Sequence, residues 1–174
     1  MADAVAPIIV GIDPGTGSSS PTGLAIFDSS NNELLLACDI GSKHKALQHR
    51  IKEISDVVEA TLMELVPSKR PIIVCIEYFV MKGKGGESLQ RLVGSIMGRL
   101  PMHFQLEFVQ NSTIKKELAG HGQADKTSVA FGVLDYFAKN KETTEHIKGL
   151  LLAKNFDTLD ALAIGVTGWI KCQK

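Results

Sequence analysis

Four carboxylates stand at or near the borders of apolar stretches. Asp13 follows the run Ile-Ile-Val-Gly-Ile at 8–12, and Glu77 follows Ile-Ile-Val-Cys-Ile at 72–76. Asp157 and Asp160 are three residues apart, the spacing that puts two side chains on one face of a helix. Asp160 immediately precedes a third apolar run, 161–170, where a core-facing helix would meet a sheet. Acids gathered at one spot raise one another's pKa and do not all stay ionised without a compensating cation. Hard divalent ions supply that compensation, since magnesium takes oxygen ligands and keeps waters or phosphate oxygens in its shell. Two such ions about 3.5–4 Å apart stabilise the attacking and leaving oxygens of phosphoryl transfer. The chemistry implied is phosphodiester hydrolysis by a metal-activated water, with no serine or cysteine nucleophile.

Each acid also has a plainer reading. Asp13 before Pro14-Gly15 is good turn chemistry. Asp157 near a helix start suits the macrodipole or caps an amide. Glu77 is harder to explain this way, because a charge after five apolar residues is costly to bury unpaired. The four together carry more than any one of them.

The elements that must position these acids follow from periodicity and turn residues. Strands are expected over 8–12, 22–27 and 33–38, joined by Asp-Pro-Gly and by Asp-Ser-Ser-Asn-Asn at 28–32, an antiparallel start. A helix is expected over 43–65, where Leu47, Ile51, Ile54, Val58, Leu62 and Leu65 form one apolar stripe, with Pro67 beyond it. A strand at 72–76, a basic glycine-rich loop at 82–86 and a helix over 88–99 come next. A strand over 104–109, a short helix over 113–119 and a helix over 126–138 follow. Residues 139–156 are polar and predict a loop with a short helix around 145–151, before a last helix over 156–170. The order gives an α/β sheet with an antiparallel start and a parallel continuation. A crossover helix would lay 72–76 parallel to 8–12, so that Asp13 and Glu77 emerge together at the carboxyl end of the sheet.

Composition narrows the classes. At 174 residues, with 44% apolar and 22% charged content, one globular domain spanning 1–174 is expected. The longest apolar run is far short of the ~20 residues of a membrane span, and no signal peptide is expected. Cys38, Cys75 and Cys172 lack metal-ligand spacing, which suits an intracellular, reducing setting. The chain has 19 basic and 19 acidic groups, but setting four metal-binding acids aside leaves the remainder net basic. Lys82, Lys84, Arg91, Arg99, Lys115, Lys116 and Lys126 outnumber Glu87, Glu107, Glu117 and Asp125 over 82–126. Beside a metal-carboxylate site that bias makes a phosphate track; alone it is an ordinary solvated surface.

Gly11-Ile12-Asp13-Pro14-Gly15, Ile76-Glu77 and the stretch from Asp157-Thr158-Leu159-Asp160 to Ala161-Leu162-Ala163-Ile164 resemble, in that order, the motifs of the RuvC-type Holliday-junction resolvases of the RNase H-like superfamily. The resemblance implies an RNase H-like fold: a five-stranded mixed sheet, strand 2 antiparallel, flanked by α-helices. It implies a crossover junction endodeoxyribonuclease in recombination and repair, resolving four-way DNA junctions as a homodimer with each subunit cutting one strand. It carries the metal-binding acids over to Asp13, Glu77, Asp157 and Asp160, with two Mg2+ per site that Mn2+ can replace. The family's two important lysines, eleven residues apart, fall on Lys115 and Lys126, the latter nearer the scissile phosphate. Lys82, Lys84 and Phe79 extend the expected DNA contact. Two departures stand out. The stretch 16–22 is longer and richer in serine than the family's usual turn. Val80 stands where bacterial members carry an inserting phenylalanine, with Phe79 one residue earlier.

Three other functions stay open at this level. A broad branched-DNA nuclease would also cut forks, flaps and three-way junctions. A non-cleaving branched-DNA binding module would keep the basic track. Asp13-Pro14-Gly15-Thr16-Gly17 also resembles the first phosphate loop of actin-type phosphotransferases, although those need two related domains.

Overall fold

The computed structural model describes residues 5–17, 19–65, 69–78 and 84–174, and the side chains of 65, 84 and 85 are not among what it describes. Five strands form one sheet: β1 (Ile8–Asp13), β2 (Thr22–Asp28), β3 (Glu33–Ile40), β4 (Ile72–Tyr78) and β5 (Gln105–Gln110). Their order is β3-β2-β1-β4-β5. β2 is antiparallel to both β1 and β3, whereas β4 runs parallel to β1 and to β5. The mixed sheet with an antiparallel second strand is therefore the expected one.

Alternation sorts the side chains. Ile8, Val10 and Ile12 of β1 and Ile72, Val74 and Ile76 of β4 join Ile54, Val58, Leu62, Leu92 and Ile96 on one face. That face is covered by α1 (Leu47–Leu65) and α2 (Lys84–Met97). Ile9, Ala25, Phe27, Ile73, Cys75 and Val109 point the other way, into a core built with α3 (Asn111–Ala119), α4 (Lys126–Tyr136), α5 (Lys141–Leu152) and α6 (Phe156–Cys172). Both faces of β1 and β4 are thus covered, which is why these strands read as unbroken apolar runs.

α6 is the central helix of the second layer, and it lies unusually close to the sheet. A Cβ on Gly11 would fall 1.9 Å from the Ala161 carbonyl oxygen, and one on Gly23 would fall 2.1 Å from that of Asp157. Only glycine lets a helix backbone approach strands this closely.

Three expectations need correction. The helix expected from 43 starts at Leu47. Ser42 explains the delay: its hydroxyl accepts from the His44 amide at 3.3 Å and donates to Glu53 at 2.5 Å, a local turn that competes with helix. α2 starts at Lys84 rather than 88, so 84–86 belong to a helix and not to a loop. Residues 141–152, expected as mostly loop, form α5, started by Asn140, whose side chain accepts from the Thr143 amide at 3.1 Å, and anchored by buried Thr143 and Ile147. Among the described residues no helix is long and apolar enough to cross a membrane.

Candidate functional site

β1 and β4 pair in parallel up to Ile12 and Ile76, so the next residues, Asp13 and Glu77, emerge side by side at the carboxyl edge. α6 brings the other two acids. Its N-cap Asn155 accepts from the Thr158 amide at 3.4 Å, which places Asp157 in the first turn and Asp160 one turn on. The close approach at Gly11 and Gly23 then presses that turn against the end of β1.

Asp13, Glu77 and Asp160 line one cavity together with Asn111, Lys115 and Lys126. Burial, then the charges of Asp160, Glu77 and Asp157, push the Asp13 carboxyl up to about 8, against the opposing pull of Lys126. Asp157 is also raised, first by burial and then by Asp39 and Asp160. The four acids predicted from sequence are therefore brought within electrostatic reach of one another, although Asp157 is not part of the cavity lining.

The two lysines come from a tight helical pair. α3 and α4 meet where a Cβ on Gly132 would fall 2.0 Å from the Leu118 carbonyl oxygen. Asp125 caps α4 by accepting from the Ser128 amide at 2.7 Å, and this sets Lys126 at the first helical position. Lys126 Nζ reaches Asp160 Oδ2 at 2.5 Å and lies 5.8 Å from the centre of the Phe156 ring. Burial works to lower the Lys126 pKa, but the hydrogen bond to Asp160 and the charges of Asp160, Asp13 and Asp157 outweigh it and hold the ammonium charged. Lys115 lines the same cavity from α3.

Sequence reasoning missed two polar neighbours. Asn111, the first residue of α3, donates from Nδ2 to Glu77 Oε1 at 3.0 Å. Asp39 on β3 accepts from the Thr158 hydroxyl at 2.6 Å. The observed register brings both to the site: Tyr78 pairs with Gln110, the residue before Asn111, and Gly23 lies between Asp13 and Asp39. Beside Glu77, the exposed rings of Tyr78 and Phe108 meet edge to face at 6.4 Å. Lys82 and Phe79 lie outside the described residues, as does the side chain of Lys84.

Among the described residues, no three His, Cys, Asp or Glu side chains stand close enough together to hold a metal ion as they are. Lys126 occupies Asp160 and Asn111 occupies Glu77, so two of the four acids are tied to protein partners. The donor set nevertheless fits a hard divalent cation. It is all carboxylate oxygen, and burial together with the neighbouring acids leaves the Asp13 carboxyl short of compensating positive charge.

Known proteins resemble this chain over most of its length. The family model "Crossover junction endodeoxyribonuclease RuvC" matches residues 9–168. The protein of that name from Chloroherpeton thalassium is 31% identical over 176 residues, covering 94% of this chain and 82% of its own length. The one from Salinibacter ruber is 28% identical, covering 91% and 83%. Among solved structures, Thermus thermophilus RuvC superposes with a TM-score of 0.68 at 20% identity, covering 95% of each chain. The same protein in complex with a Holliday junction substrate superposes at 0.69 and 18% identity, covering 96% of this chain and 95% of that one.

Proposed function

The chain belongs to the RuvC family of crossover junction endodeoxyribonucleases, and on that premise we propose that it resolves four-way DNA junctions by metal-dependent hydrolysis of paired phosphodiesters. The observation that carries this reading is the convergence of Asp13, Glu77, Asp157 and Asp160 at the carboxyl edge of β1 and β4, with Lys126 among them. The Thermus thermophilus protein solved with a Holliday junction substrate supports four-way DNA as the ligand. In this reading the whole chain is one nuclease domain acting as a homodimer.

Asp13, Glu77, Asp157 and Asp160 are the residues that would hold two magnesium ions, with manganese as the substitute. Bound there, such ions activate water and stabilise charge on the attacked and leaving oxygens. The chain's own residues do the rest. Asn111 holds one oxygen of the Glu77 carboxylate at the cavity, which restricts how that side chain turns. Burial keeps bulk water away from the Asp13 carboxyl, so charge interactions there are stronger than at the open surface. Lys126 supplies a positive charge at the cavity and, on leaving Asp160, meets a phosphate oxygen. Lys115, on the same wall, holds the DNA backbone without reading sequence. Lys82, Lys84 and Phe79 extend that contact.

Single Asp13→Asn, Glu77→Gln and Asp160→Asn variants test the assignment. Each should lose junction nicking while retaining junction binding in a gel-shift assay. Retained cleavage by any one removes that residue from the metal-binding set.

A further inference from the structure

The row of residues that carries Asp13 continues across the sheet. Asp13 pairs with Gly23, and Gly23 pairs with Asp39, so the two acids flank a residue with no side chain. The Asp157 carbonyl fits into that notch, where a Cβ would sit 2.1 Å away. On the far side of the notch, Thr158 Oγ1 donates to Asp39 Oδ1 at 2.6 Å. Thr158 is fully buried, so its hydroxyl needs a partner, and a carboxylate is among the strongest acceptors available. Asp39 itself is exposed on an edge strand.

The first turn of α6 needs such a support. Its N-cap contact, Asn155 Oδ1 to the Thr158 amide, is long at 3.4 Å. Asp157 stands outside the cavity that Asp13, Glu77 and Asp160 line, so its approach to them depends on how the helix is rotated about its axis. A rotation of that turn moves Asp157 and Asp160 together, because they share one face.

We propose that Asp39 is a positioning residue: through the Thr158 hydroxyl it sets the rotation of the first turn of α6, so that Asp157 and Asp160 converge on Asp13. This rests on the four-acid reading above and deepens it. Asp39 touches neither substrate nor ion in this role; it acts through the helix.

The test compares Asp39→Ala and Thr158→Val, which remove the hydrogen bond, with Asp39→Asn and Thr158→Ser, which keep an acceptor and a donor. Manganese affinity is measured by calorimetry without DNA, and junction turnover is resolved into kcat and KM. The first pair should bind manganese roughly 10-fold more weakly, the scale of lost outer-shell support, and show a reduced kcat at unchanged junction affinity. The second pair should recover most of both. Combining Asp39→Ala with Thr158→Val should add little to either alone, since both remove one contact. Wild-type manganese affinity in Asp39→Ala overturns the proposal. So does an Asp39→Asn variant as weak as Asp39→Ala, because the charge and not the hydrogen bond would then matter. If Asp39→Ala does not fold, the Thr158→Val and Thr158→Ser pair gives the same comparison. Absence of junction cleavage by the unmodified chain would sink the nuclease reading, while the manganese affinities would still decide the role of Asp39.

Discussion

Lys126 Nζ lies 2.5 Å from Asp160 Oδ2, and this ion pair spans two helices, α4 and α6, at the mouth of the acidic cavity. The ammonium serves as an internal counter-ion for acids that otherwise repel one another. It also competes with any other cation for Asp160. One residue therefore lowers the cost of assembling the cluster and would set a threshold for any metal ion that binds there.

Lys126→Gln separates those two effects. Without the ammonium, manganese should bind several-fold more tightly in calorimetry, because its competitor is gone. Junction cleavage at saturating metal should nevertheless fall by about 100-fold or more, the scale seen when one charge-stabilising group is lost. Unchanged or weaker manganese affinity would show that Lys126 does not compete for the acids.

Asp13→Asn should stabilise the metal-free protein while abolishing its activity. The folded Asp13 carboxyl keeps its proton up to about 8, against an ordinary value of 3.8. Across that window the native chain holds a proton that the unfolded chain has lost, so stability falls as pH rises through it. Removing the acid removes this penalty. In EDTA at pH 8 the variant's Tm should exceed that of the parent by roughly 3–8 °C, and the gap should close near pH 4. An equal Tm at both pH values would contradict the burial and charge argument for Asp13.

Gly23→Ala and Gly94→Ala should move stability in opposite directions. A methyl at Gly23 meets the Asp157 carbonyl at 2.1 Å, so α6 must shift; a loss of about 3 kcal/mol or more and weakened manganese binding are expected. Gly94, inside α2, has nothing within 4 Å, and alanine there should gain up to about 1 kcal/mol. Chemical denaturation measures both. A harmless Gly23→Ala would mean that α6 is not seated against β2.

Lys115→Ala should weaken junction binding to the same degree for all sequences and lower the magnitude of the salt slope by about one. Binding titrations over a series of salt concentrations measure this. An unchanged slope would show that Lys115 meets no phosphate.

The strand-borne half of the site was legible because its chemistry coincides with a break in pattern. Asp13 and Glu77 each end a run of apolar residues that only a twice-covered strand requires, and parallel pairing follows from the helix between them. Asp157 and Asp160 were legible from helical spacing. Asn111 was not, because an asparagine opening a helix looks like any cap until β4 and β5 are in register. Asp39 was hidden for a related reason. A register shift between Ile26 and Phe27 breaks the simple count from β2 to β3, and only the observed pairing shows Asp39 level with Asp13. α5 was underestimated because its amphipathic signal rests on few apolar positions, and its anchors, Thr143 and Ile147, gain meaning only from the edge of β3, where the Leu34 amide donates to Thr143 Oγ1 at 2.9 Å.

The most direct test of the account is cleavage of end-labelled four-way junctions, linear duplex and a three-way fork, with magnesium and with EDTA. Symmetric nicks are expected in opposed strands of the four-way junction, dependent on magnesium and absent from linear duplex. Cleavage of the fork at a comparable rate would replace junction resolution with broad branch cutting. Binding to the junction without nicks in either magnesium or manganese would contradict the nuclease assignment, despite the four assembled acids.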